Sequence, residues 1–323
     1  MFDVVIIGLG CAGYTAAVYC ARYKLKVYLV GAEEGGMGNT AAEVGNWPGE
    51  IDIRGPDLME KFKKHALSFG DAVTYKISRV KNVEKIAGGF SVEIEGGVKI
   101  ETKTVLFATG SNKRHLGAEG ETEFSGKGVT YCATCDAFFY KNKDVAVIGG
   151  GDSAVEGAAI AAQVARKVYL VHRKSTFRAE PFWVDKVKEK ANVEFVLERN
   201  VKKIFGDQPS SRTTLDAGLR PAGKKVTGIE LDQPYNGSLT IPVDGVFIEI
   251  GSLPATALPL QIGCALDSLG FLAVDASQRT NIQGVFAAGD LTSASNHFAQ
   301  FTTAAGEATV AANSVFNYLQ SGK

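Results

Sequence analysis

Apolar residues in this chain fall into short continuous runs, and the first two runs flank a segment rich in alanine. The run Phe2–Ile7 predicts a buried parallel strand, because strands of that kind are apolar on both faces. Glycines follow at once, and the apolar spacing over 14–23 predicts a helix. A second strand is predicted over 26–30. Together these elements form a βαβ unit with glycines at the turn from strand to helix.

A second unit of the same kind begins about 140 residues later. Its strand is predicted over 145–148, its helix over 155–165 and its next strand over 168–171. Two nucleotide-binding domains, each with its own nucleotide, are the simplest explanation of this repetition. The rest of the pattern predicts a helix over 56–69, a hairpin of 91–95 and 98–100, buried strands over 104–108 and 243–250, a polar surface loop over 206–225 and a final helix over about 298–318.

Composition and charge narrow the class of protein. The 323 residues suffice for two domains, and the 45% hydrophobic fraction supplies their cores. Basic and acidic residues both number 35, and this zero net charge argues against nucleic-acid binding and against a basic membrane anchor. No apolar run is long enough to span a membrane, and the N-terminus lacks the features of a secretory signal. We therefore expect a cytoplasmic protein.

The first glycine loop has the spacing of a dinucleotide-binding turn. Gly8, Gly10 and Gly13 follow the first strand and open the first helix, as the pattern G-x-G-x-x-G requires. Such glycines let the backbone approach a pyrophosphate while the amides of the helix face the anion. Glu33 lies 20 residues after Gly13, near the position where an acidic residue binds a ribose hydroxyl.

The second glycine loop is followed by basic residues instead of an acid. Its sequence from 149 to 154 fits G-x-G-x-x-A. The next strand ends in a basic cluster, and no carboxylate there could hold a free 2′-hydroxyl. Arginine binds phosphate with charge-assisted hydrogen bonds, so this loop predicts NADPH in preference to NADH. The candidate NADPH-binding residues are Gly149, Gly151, Asp152, Ser153, His172, Arg173, Lys174 and Arg178.

A C-x-x-C pair is the most specific chemical feature of the chain. The spacing of Cys132 and Cys135 lets the two sulfurs form an exchangeable disulfide. A zinc site would need further Cys or His ligands, which are not found near by in sequence, so we expect no metal. Asp136 is adjacent and could carry protons to and from a thiolate. The three other cysteines, Cys11, Cys20 and Cys264, are interpreted as packing residues.

The pair lies ten residues before the second nucleotide strand. Dithiol and nicotinamide are therefore expected on one domain, and both must reach a flavin on the other domain. Because they are not expected to share one face of the flavin ring at once, we infer a domain that rotates between two poses.

These motifs together resemble the low-molecular-weight thioredoxin reductase family of flavoproteins. Each motif occurs widely, but their order and spacing are specific, and they extend over nearly the whole chain. The resemblance is carried by Gly8-x-Gly10-x-x-Gly13, Gly35-Gly36, Asn46-Trp47-Pro48-Gly49, Ala108-Thr109-Gly110, Cys132-Ala133-Thr134-Cys135-Asp136, Gly149 to Ala154, His172-Arg173-Lys174-x-x-x-Arg178 and Gly289-Asp290.

The resemblance implies an α/β fold of two Rossmann-like domains with three layers (ββα), and a homodimer. The FAD domain would comprise 1–115 and 245–323, with an NADPH domain over 116–244 inserted between them. Cys135 would lie nearest the flavin, Cys132 would attack the disulfide of a thioredoxin or glutaredoxin-like partner, and Asp136 would be the acid and base. The residues expected to bind FAD are Gly8, Gly10, Gly13, Glu33, Gly36, Asn46, Thr109, Gly110, Gly289, Asp290 and Gln300.

This chain departs from the common pattern of that family at Met37-Gly38, at Ala299 and at Lys174. The first two changes could alter the surroundings of the flavin, and Lys174 lacks the bidentate fork of arginine, which could weaken the preference for NADPH. Three alternatives remain open from the sequence: a flavin-dependent dithiol oxidase, a reductase that uses another electron donor such as a ferredoxin, and an NADPH-binding sensor without enzymatic activity.

Overall fold

The computed structural model describes residues 1–41, 44–207 and 225–322, and only the backbone at 134 and 135. The chain divides into two compact units. The first unit comprises Met1–Asn112 and Leu253–Lys323, and the second comprises Lys113–Ser252, so the second is inserted into the sequence of the first. Most of the loop predicted over 206–225 lies outside the described residues.

A parallel sheet forms the centre of the first unit, with strand order β3-β2-β1-β6 and β17 beside β6. An antiparallel meander of β4 and β5 pairs with the first half of β6. The predicted strands 98–100 and 104–108 are therefore a single strand. The bounds are β1 Phe2–Ile7, β2 Val27–Gly31, β3 Val73–Ile77, β4 Val80–Ile86, β5 Gly89–Ile94, β6 Lys99–Phe107 and β17 Val285–Ala287.

Helices cover one face of this sheet, and the meander covers part of the other. Helices α1 (Cys11–Arg22), α2 (Gly55–Leu67) and α8 (Phe301–Gln320) share one apolar core with the strands. Their small residues allow close packing, and Tyr14 and Ala308 are fully buried there. The second core of the unit contains residues of β4, β5 and β17, with α7 (Ala257–Gln261) packed against it. The unit therefore has the three layers predicted.

The second unit also has a parallel sheet, with strand order β11-β10-β9-β15-β8. An antiparallel sheet of β12, β13 and β14 shares an apolar cluster with it. The strands are β8 Val129–Thr130, β9 Asp144–Ile148, β10 Lys167–His172, β11 Val193–Leu197, β12 Val201–Gly206, β13 Val226–Tyr235, β14 Ser238–Pro242 and β15 Gly245–Ile248. The helices are α3 Glu121–Phe124, α4 Ala133–Asp136, α5 Asp152–Ala161 and α6 Pro181–Lys188. Two further short strands, β7 (Ser111–Lys113) and β16 (Ser252–Pro254), pair with each other.

The α/β prediction with two Rossmann-like units is confirmed, whereas both unit boundaries differ from the expected ones. The first lies after Asn112 instead of after 115, and the second lies after Ser252 instead of after 244. The larger difference has a clear cause: β15 pairs in parallel with β9 and β8, so it completes the sheet of the second unit. In the described part of the chain, no helix combines the length and the apolar character needed to cross a membrane.

Candidate active site

Three strands of the first unit end side by side, and the predicted flavin-binding residues follow them. Ile7 of β1 pairs with Phe107 of β6, which pairs with Ala287 of β17. Gly8, Thr109-Gly110 and Gly289-Asp290 come immediately after these three ends. In open α/β sheets, ligands bind beyond the carboxyl ends of the strands, so the sheet brings together residues up to 282 positions apart in sequence at a ligand-binding edge.

The three glycines of the first loop have different reasons to be glycine. Gly8 has a φ of +132°, and a Cβ on it would lie 2.0 Å from the carbonyl oxygen of Ala108. A Cβ on Gly13 would lie 1.9 Å from the carbonyl oxygen of Gly8. At Gly10, the nearest atom to such a Cβ would be 3.8 Å away, so the protein itself leaves room there. Open space at the start of α1 fits a pyrophosphate that the helix amides would face.

Two adjacent glutamates follow β2, and only one of them is free to bind a ribose. Glu34 accepts a hydrogen bond from the hydroxyl of Tyr75 and pairs with Lys63. These partners lower the pKa of the Glu34 carboxyl, the Lys63 bond most. Glu33 is exposed and makes no polar contact with another described side chain. Its carboxylate is thus available for ribose hydroxyls, and its binding of a ribose stays a prediction.

Asp290 lies beside a buried glutamate of α8. The Glu307 carboxylate accepts hydrogen bonds from the Gly289 N–H at 2.8 Å and from the Thr292 hydroxyl at 2.9 Å. Burial raises the pKa of the Asp290 carboxyl to about 6, and the charge of Glu307 adds to the rise. Because the Asp290 carboxylate is poorly solvated, hydrogen bonds donated by a ligand would stabilise it. The hydroxyl groups of a polyol chain are such donors.

Asn46 and Gln300, both predicted near the flavin, are in direct contact. The Asn46 side-chain amide donates to Gln300 Oε1 at 3.0 Å. Gln300 begins α8, where its N–H donates to the Thr303 hydroxyl at 3.0 Å. Elsewhere in the unit, the Thr109 hydroxyl donates to the carbonyl oxygen of Ala255 at 2.9 Å. Thr109 is therefore used to hold a loop of its own unit.

Positions 36 and 38 lie in the segment that departs from the family pattern. Gly36 has a φ of +50°, and a Cβ on it would come within 3.5 Å of Gly10, so it borders the first glycine loop. At Gly38, a Cβ would come within 2.6 Å of Met59 and 3.0 Å of Phe301. A larger residue at 38 cannot be accommodated unless those two side chains move. The glycine at position 38, which departs from the family pattern, therefore fits the packing of Met59 and Phe301 around it.

In the second unit, the glycine loop repeats the same division of roles. Gly149 has a φ of +149°, and a Cβ on it would lie 2.1 Å from the carbonyl oxygen of Glu249. A Cβ on Gly150 would lie 2.2 Å from the ring of His172. At Gly151, which precedes α5, a Cβ would meet nothing within 4 Å. The third glycine of the run is thus the one whose small size the protein itself does not require.

His172 supports this loop from behind and is not one of its exposed cations. Its ring is 8% exposed, stacks on Phe177 and has Nε2 3.2 Å from the carbonyl oxygen of Thr176. Burial lowers the pKa of the imidazole, and the nearby cations Arg173, Arg178 and Lys174 lower it further. The lowered pKa favours the neutral imidazole, which packs behind the loop, and its contact with NADPH stays a prediction.

Arg173, Lys174 and Arg178 are exposed, and none of them makes an ion pair with another described residue. The N–H of Arg178 donates to the carbonyl oxygen of Gly150 at 2.7 Å, which fixes its backbone beside the loop. Three exposed cations next to a dinucleotide loop suit a phosphate on the ribose.

The other two predicted residues of this loop begin α5. Asp152 Oδ1 accepts the N–H of Glu180 at 2.6 Å, which ties the loop to the start of α6. Ser153 is exposed in the first turn of α5, where its backbone amide belongs to the end of the helix that attracts anions.

The redox segment lies in the second unit, on the turn from β8 to α4. Cys132 is half-buried and disulfide-bonded. Its N–H lies 3.3 Å from the Thr130 hydroxyl, and that hydroxyl donates to Asp136. The N–H of Asp136 returns to the carbonyl oxygen of Cys132 at 3.2 Å. The cysteine and the predicted acid and base are thus linked through one threonine. The side chain of Cys135 lies outside the described part of the chain.

The other three cysteines pack as predicted. Cys11, Cys20 and Cys264 are free and buried. Burial raises the pKa of Cys11 and of Cys20 to about 12, so both remain protonated thiols at neutral pH.

Two buried glutamates near the redox segment have no signal in the sequence. Glu249 Oε1 accepts the N–H of Ala133 at 3.0 Å, and its other oxygen pairs with Lys113 at 2.8 Å. Glu121 accepts a hydrogen bond at 2.8 Å from the hydroxyl of Tyr131, the residue that precedes Cys132. Neither glutamate belongs to the sequence segment of the redox cysteines, so the sequence gives no sign of these contacts. The one related prediction was the strand over 243–250, which placed Glu249 near a strand end.

Comparison with known protein families matches residues 2–308 to the family described as pyridine nucleotide-disulphide oxidoreductase. The chain belongs to this family. The chain is accordingly an oxidoreductase, and the family implies the use of flavin and pyridine nucleotide.

Similar proteins within the pyridine nucleotide-disulphide oxidoreductases carry one name repeatedly. The thioredoxin reductase of Listeria monocytogenes is 38% identical, covering 99% of this chain and 94% of that protein. The thioredoxin reductase of Helicobacter pylori is 36% identical, covering 99% of each. The Lactococcus lactis thioredoxin reductase structure has a TM-score of 0.89 at 32% identity, covering 99% of this chain and 100% of that one. The T. acidophilum thioredoxin reductase structure has a TM-score of 0.86 at 35% identity, covering 100% and 99%.

Proposed function

We propose that this chain is an NADPH-dependent thioredoxin-disulfide reductase. Electrons would pass from NADPH by way of FAD to the Cys132–Cys135 disulfide, and from there to a thioredoxin or a glutaredoxin-like protein. The observation that carries the proposal is Cys132 in a disulfide on the same unit as a dinucleotide loop with three exposed cations. The names of the full-length relatives support the same activity.

The chemistry balances without any metal. NADPH and one proton reduce the disulfide to two thiols, leaving NADP⁺. The Cys132 thiolate then attacks a sulfur of the partner disulfide and forms a mixed disulfide, with the other partner sulfur as leaving group. The second thiolate of the pair attacks Cys132, restores the internal disulfide and releases the partner as a dithiol. FAD, when bound, supplies the step that accepts a hydride from the nicotinamide and delivers an electron pair to a disulfide.

The residues of this chain have separate tasks in that sequence. Gly10 and Gly36 leave space for a flavin nucleotide, and Glu33 and Asp290 offer carboxylates to its hydroxyls. Asp136 accepts the hydrogen bond of the Thr130 hydroxyl, whose oxygen lies beside the Cys132 amide, and in this proposal its carboxylate carries protons to and from the thiols. Arg173 and Arg178 would hold the 2′-phosphate.

A protein-sized partner is supported by the surface that follows the redox segment. Phe138 is 68% exposed and Phe139 is 75% exposed, only a few residues after Cys132. Exposed aromatic side chains are enriched where proteins bind one another. Replacing both by serine should lower kcat/KM for the protein partner while the rate of flavin reduction by NADPH stays unchanged.

The deciding experiment is an anaerobic titration of the FAD-loaded protein with NADPH and, separately, with NADH, followed by loss of flavin absorbance. Stoichiometric bleaching by NADPH, then NADPH oxidation upon addition of a thioredoxin disulfide, is the expected result. The variant C132S should keep the bleaching and lose thioredoxin reduction. No bleaching by either nucleotide contradicts the proposal and favours a dithiol oxidase or another electron donor.

A further inference from the structure

Glu249 joins the redox segment to the dinucleotide loop inside the second unit. It follows β15, and its backbone N–H donates to the carbonyl oxygen of Ile148 at 2.8 Å, where β9 ends. Its own carbonyl oxygen fills the space that a Cβ on Gly149 would need. The backbone of this residue is therefore fixed by the same strand and loop that would position a nucleotide.

The side chain of Glu249 turns toward the redox cysteine. It is 5% exposed, and Oε1 lies 3.0 Å from the backbone nitrogen of Ala133, the residue bonded to Cys132. Oε2 lies 2.8 Å from Lys113 Nζ, whose side chain is 22% exposed. Helix α5 comes close at the same point, because a Cβ on Gly157 would lie 2.7 Å from the Cβ of Ala133. A largely buried ion pair thus contacts the backbone of Ala133, the residue that follows Cys132.

A free backbone amide beside a cysteine can donate a hydrogen bond to its thiolate, which stabilises the thiolate and makes the corresponding disulfide more oxidising. In this chain the Ala133 amide is already bonded to a carboxylate. Burial raises the pKa of the Glu249 carboxyl, and the charge of Lys113 opposes that rise and favours the ionised form. The pair is shielded from water, so salt screens its field much less than the field of an exposed pair.

We propose that Glu249 is a positioning residue that keeps the Cys132 dithiol a strong reductant, because it occupies the Ala133 amide and places a carboxylate charge beside Cys132. Loss of that charge would stabilise the Cys132 thiolate and make the dithiol a weaker reductant. This inference rests on the proposed function, since it requires that the disulfide be reduced and reoxidised.

The variant E249Q separates the charge from the hydrogen bond. Glutamine keeps an oxygen that can accept the Ala133 N–H, but it leaves the Lys113 ammonium unmatched. We expect the equilibrium constant for reduction of the disulfide by glutathione to rise about tenfold, which is about 30 mV for a two-electron couple. The double variant K113M/E249Q removes both charges, so its constant should fall back toward that of the wild type. E194Q, which unpairs Lys167 in the same unit, is the matched control and should change nothing.

The measurement counts thiols in the full-length, FAD-loaded protein. The protein is equilibrated in glutathione buffers, quenched with acid, unfolded and labelled with a polyethylene-glycol maleimide. The five cysteines give five labels in the reduced chain, whereas the oxidised chain gives three, at Cys11, Cys20 and Cys264. An E249Q constant within twofold of the wild-type constant overturns the proposal.

Two further comparisons keep the test decisive. If E249Q does not fold, K113M and K113M/E249Q are compared at pH 8.5, where the double variant should have the larger constant and equal constants overturn the proposal. A wild-type chain that exchanges with glutathione but reduces no thioredoxin contradicts the proposed function, and the E249Q shift is still measurable. A chain that reduces thioredoxin but shows no E249Q shift contradicts only the role of Glu249.

Discussion

Asn46 donates its side-chain amide to Gln300 across 254 positions of sequence, at 3.0 Å. The bond joins the loop that precedes α2 to the N-cap residue of α8, and both residues belong to the first unit. Asn46 and Gln300, which the sequence assigns separately to the flavin, are therefore a hydrogen-bonded pair. Their effects on flavin binding should not be independent.

Replacing Gln300 by leucine removes the acceptor of this bond and should speed the release of FAD by about fivefold, since one such hydrogen bond contributes about 1 kcal/mol. Stopped-flow release of FAD into an excess of an FAD-binding apoprotein, which captures the free flavin, measures the rate. N313L is the matched control, because Asn313 makes a similar bond to the Tyr23 hydroxyl at 3.0 Å. Equal rates for Q300L and the wild type would remove any role of the pair in holding FAD.

Asp290 should make the flavin-free protein less stable at neutral pH than at acidic pH. Its pKa rises from 3.8 to about 6 on folding, so the folded state binds the proton more tightly. Stability from this group is complete below about pH 4 and is lost as the pH rises through about 6, a loss of about 3 kcal/mol. D290N should therefore stabilise the flavin-free chain by about 2–3 kcal/mol at pH 7 and weaken FAD binding.

Urea unfolding of the flavin-free chains between pH 4 and pH 8 measures this difference, which should disappear at the acid end. Asp267 provides a control of opposite sign, because its hydrogen bond to His297 lowers the pKa of its carboxyl. D267N should not stabilise the protein at any pH. A D290N gain that is constant across the pH range would argue for a cause other than ionisation.

Alanine at the two ends of the second glycine loop should affect different properties, nucleotide affinity at Gly151 and folding stability at Gly149. At Gly151 the φ is −100° and a methyl group meets no protein atom within 4 Å, so G151A should fold with unchanged stability. The methyl group would instead enter the space for pyrophosphate, and nucleotide affinity should fall at least tenfold. G149A, with its φ of +149° and a 2.1 Å clash, should lose about 3 kcal/mol or more of stability. Calorimetry and nucleotide titration of both variants distinguish the two effects.

Arg173 and Arg178 should determine the choice between NADPH and NADH. R173Q/R178Q should raise KM for NADPH about 10–100-fold, because charge-assisted hydrogen bonds contribute about 1.5–3 kcal/mol. KM for NADH should change less than twofold, since NADH has no 2′-phosphate. R166Q serves as control, because Arg166 is already paired with Asp144 at 2.8 Å. A parallel rise in both KM values would mean that the cluster does not contact the 2′-phosphate.

Sequence patterns found most of the fold, because parallel strands must be apolar on both faces and their turns must contain glycine. Strand β6 shows where a pattern misleads. Its first half alternates between exposed and buried residues beside the antiparallel meander, and its second half is fully buried in the parallel sheet. The hydrophobic pattern changes halfway along β6, so this single strand is predicted as two strands. The position of β15 was likewise hidden, because its neighbours β8 and β9 lie far back in sequence.

At the candidate site, motif positions were predictable wherever the ligand imposes the residue type, as it does at Gly10 and Gly151. Roles that depend on tertiary contacts were not. His172 is a basic residue by sequence, but its burial lowers the pKa of the imidazole and favours the neutral form. Glu249 is separated from Ala133 by 116 positions, so nothing local indicates that the two touch. The rotation between two poses, the homodimer and the cytoplasmic location stay predictions.

The partnership of β6 with β17 has a consequence for how the chain is made. The ribosome releases β6 well before β17 and α8, because the whole second unit is encoded between them. Until residue 285 has emerged, β6 has an unpaired edge, and helix α1 lacks the residues of α8 that share its core. The inserted unit also waits for a late strand, because β8 and β9 gain their partner β15 only near its end, but β15 is translated before β17. The half of the molecule that begins first during translation is therefore the half that finishes last, with an open strand edge that invites premature association in the meantime.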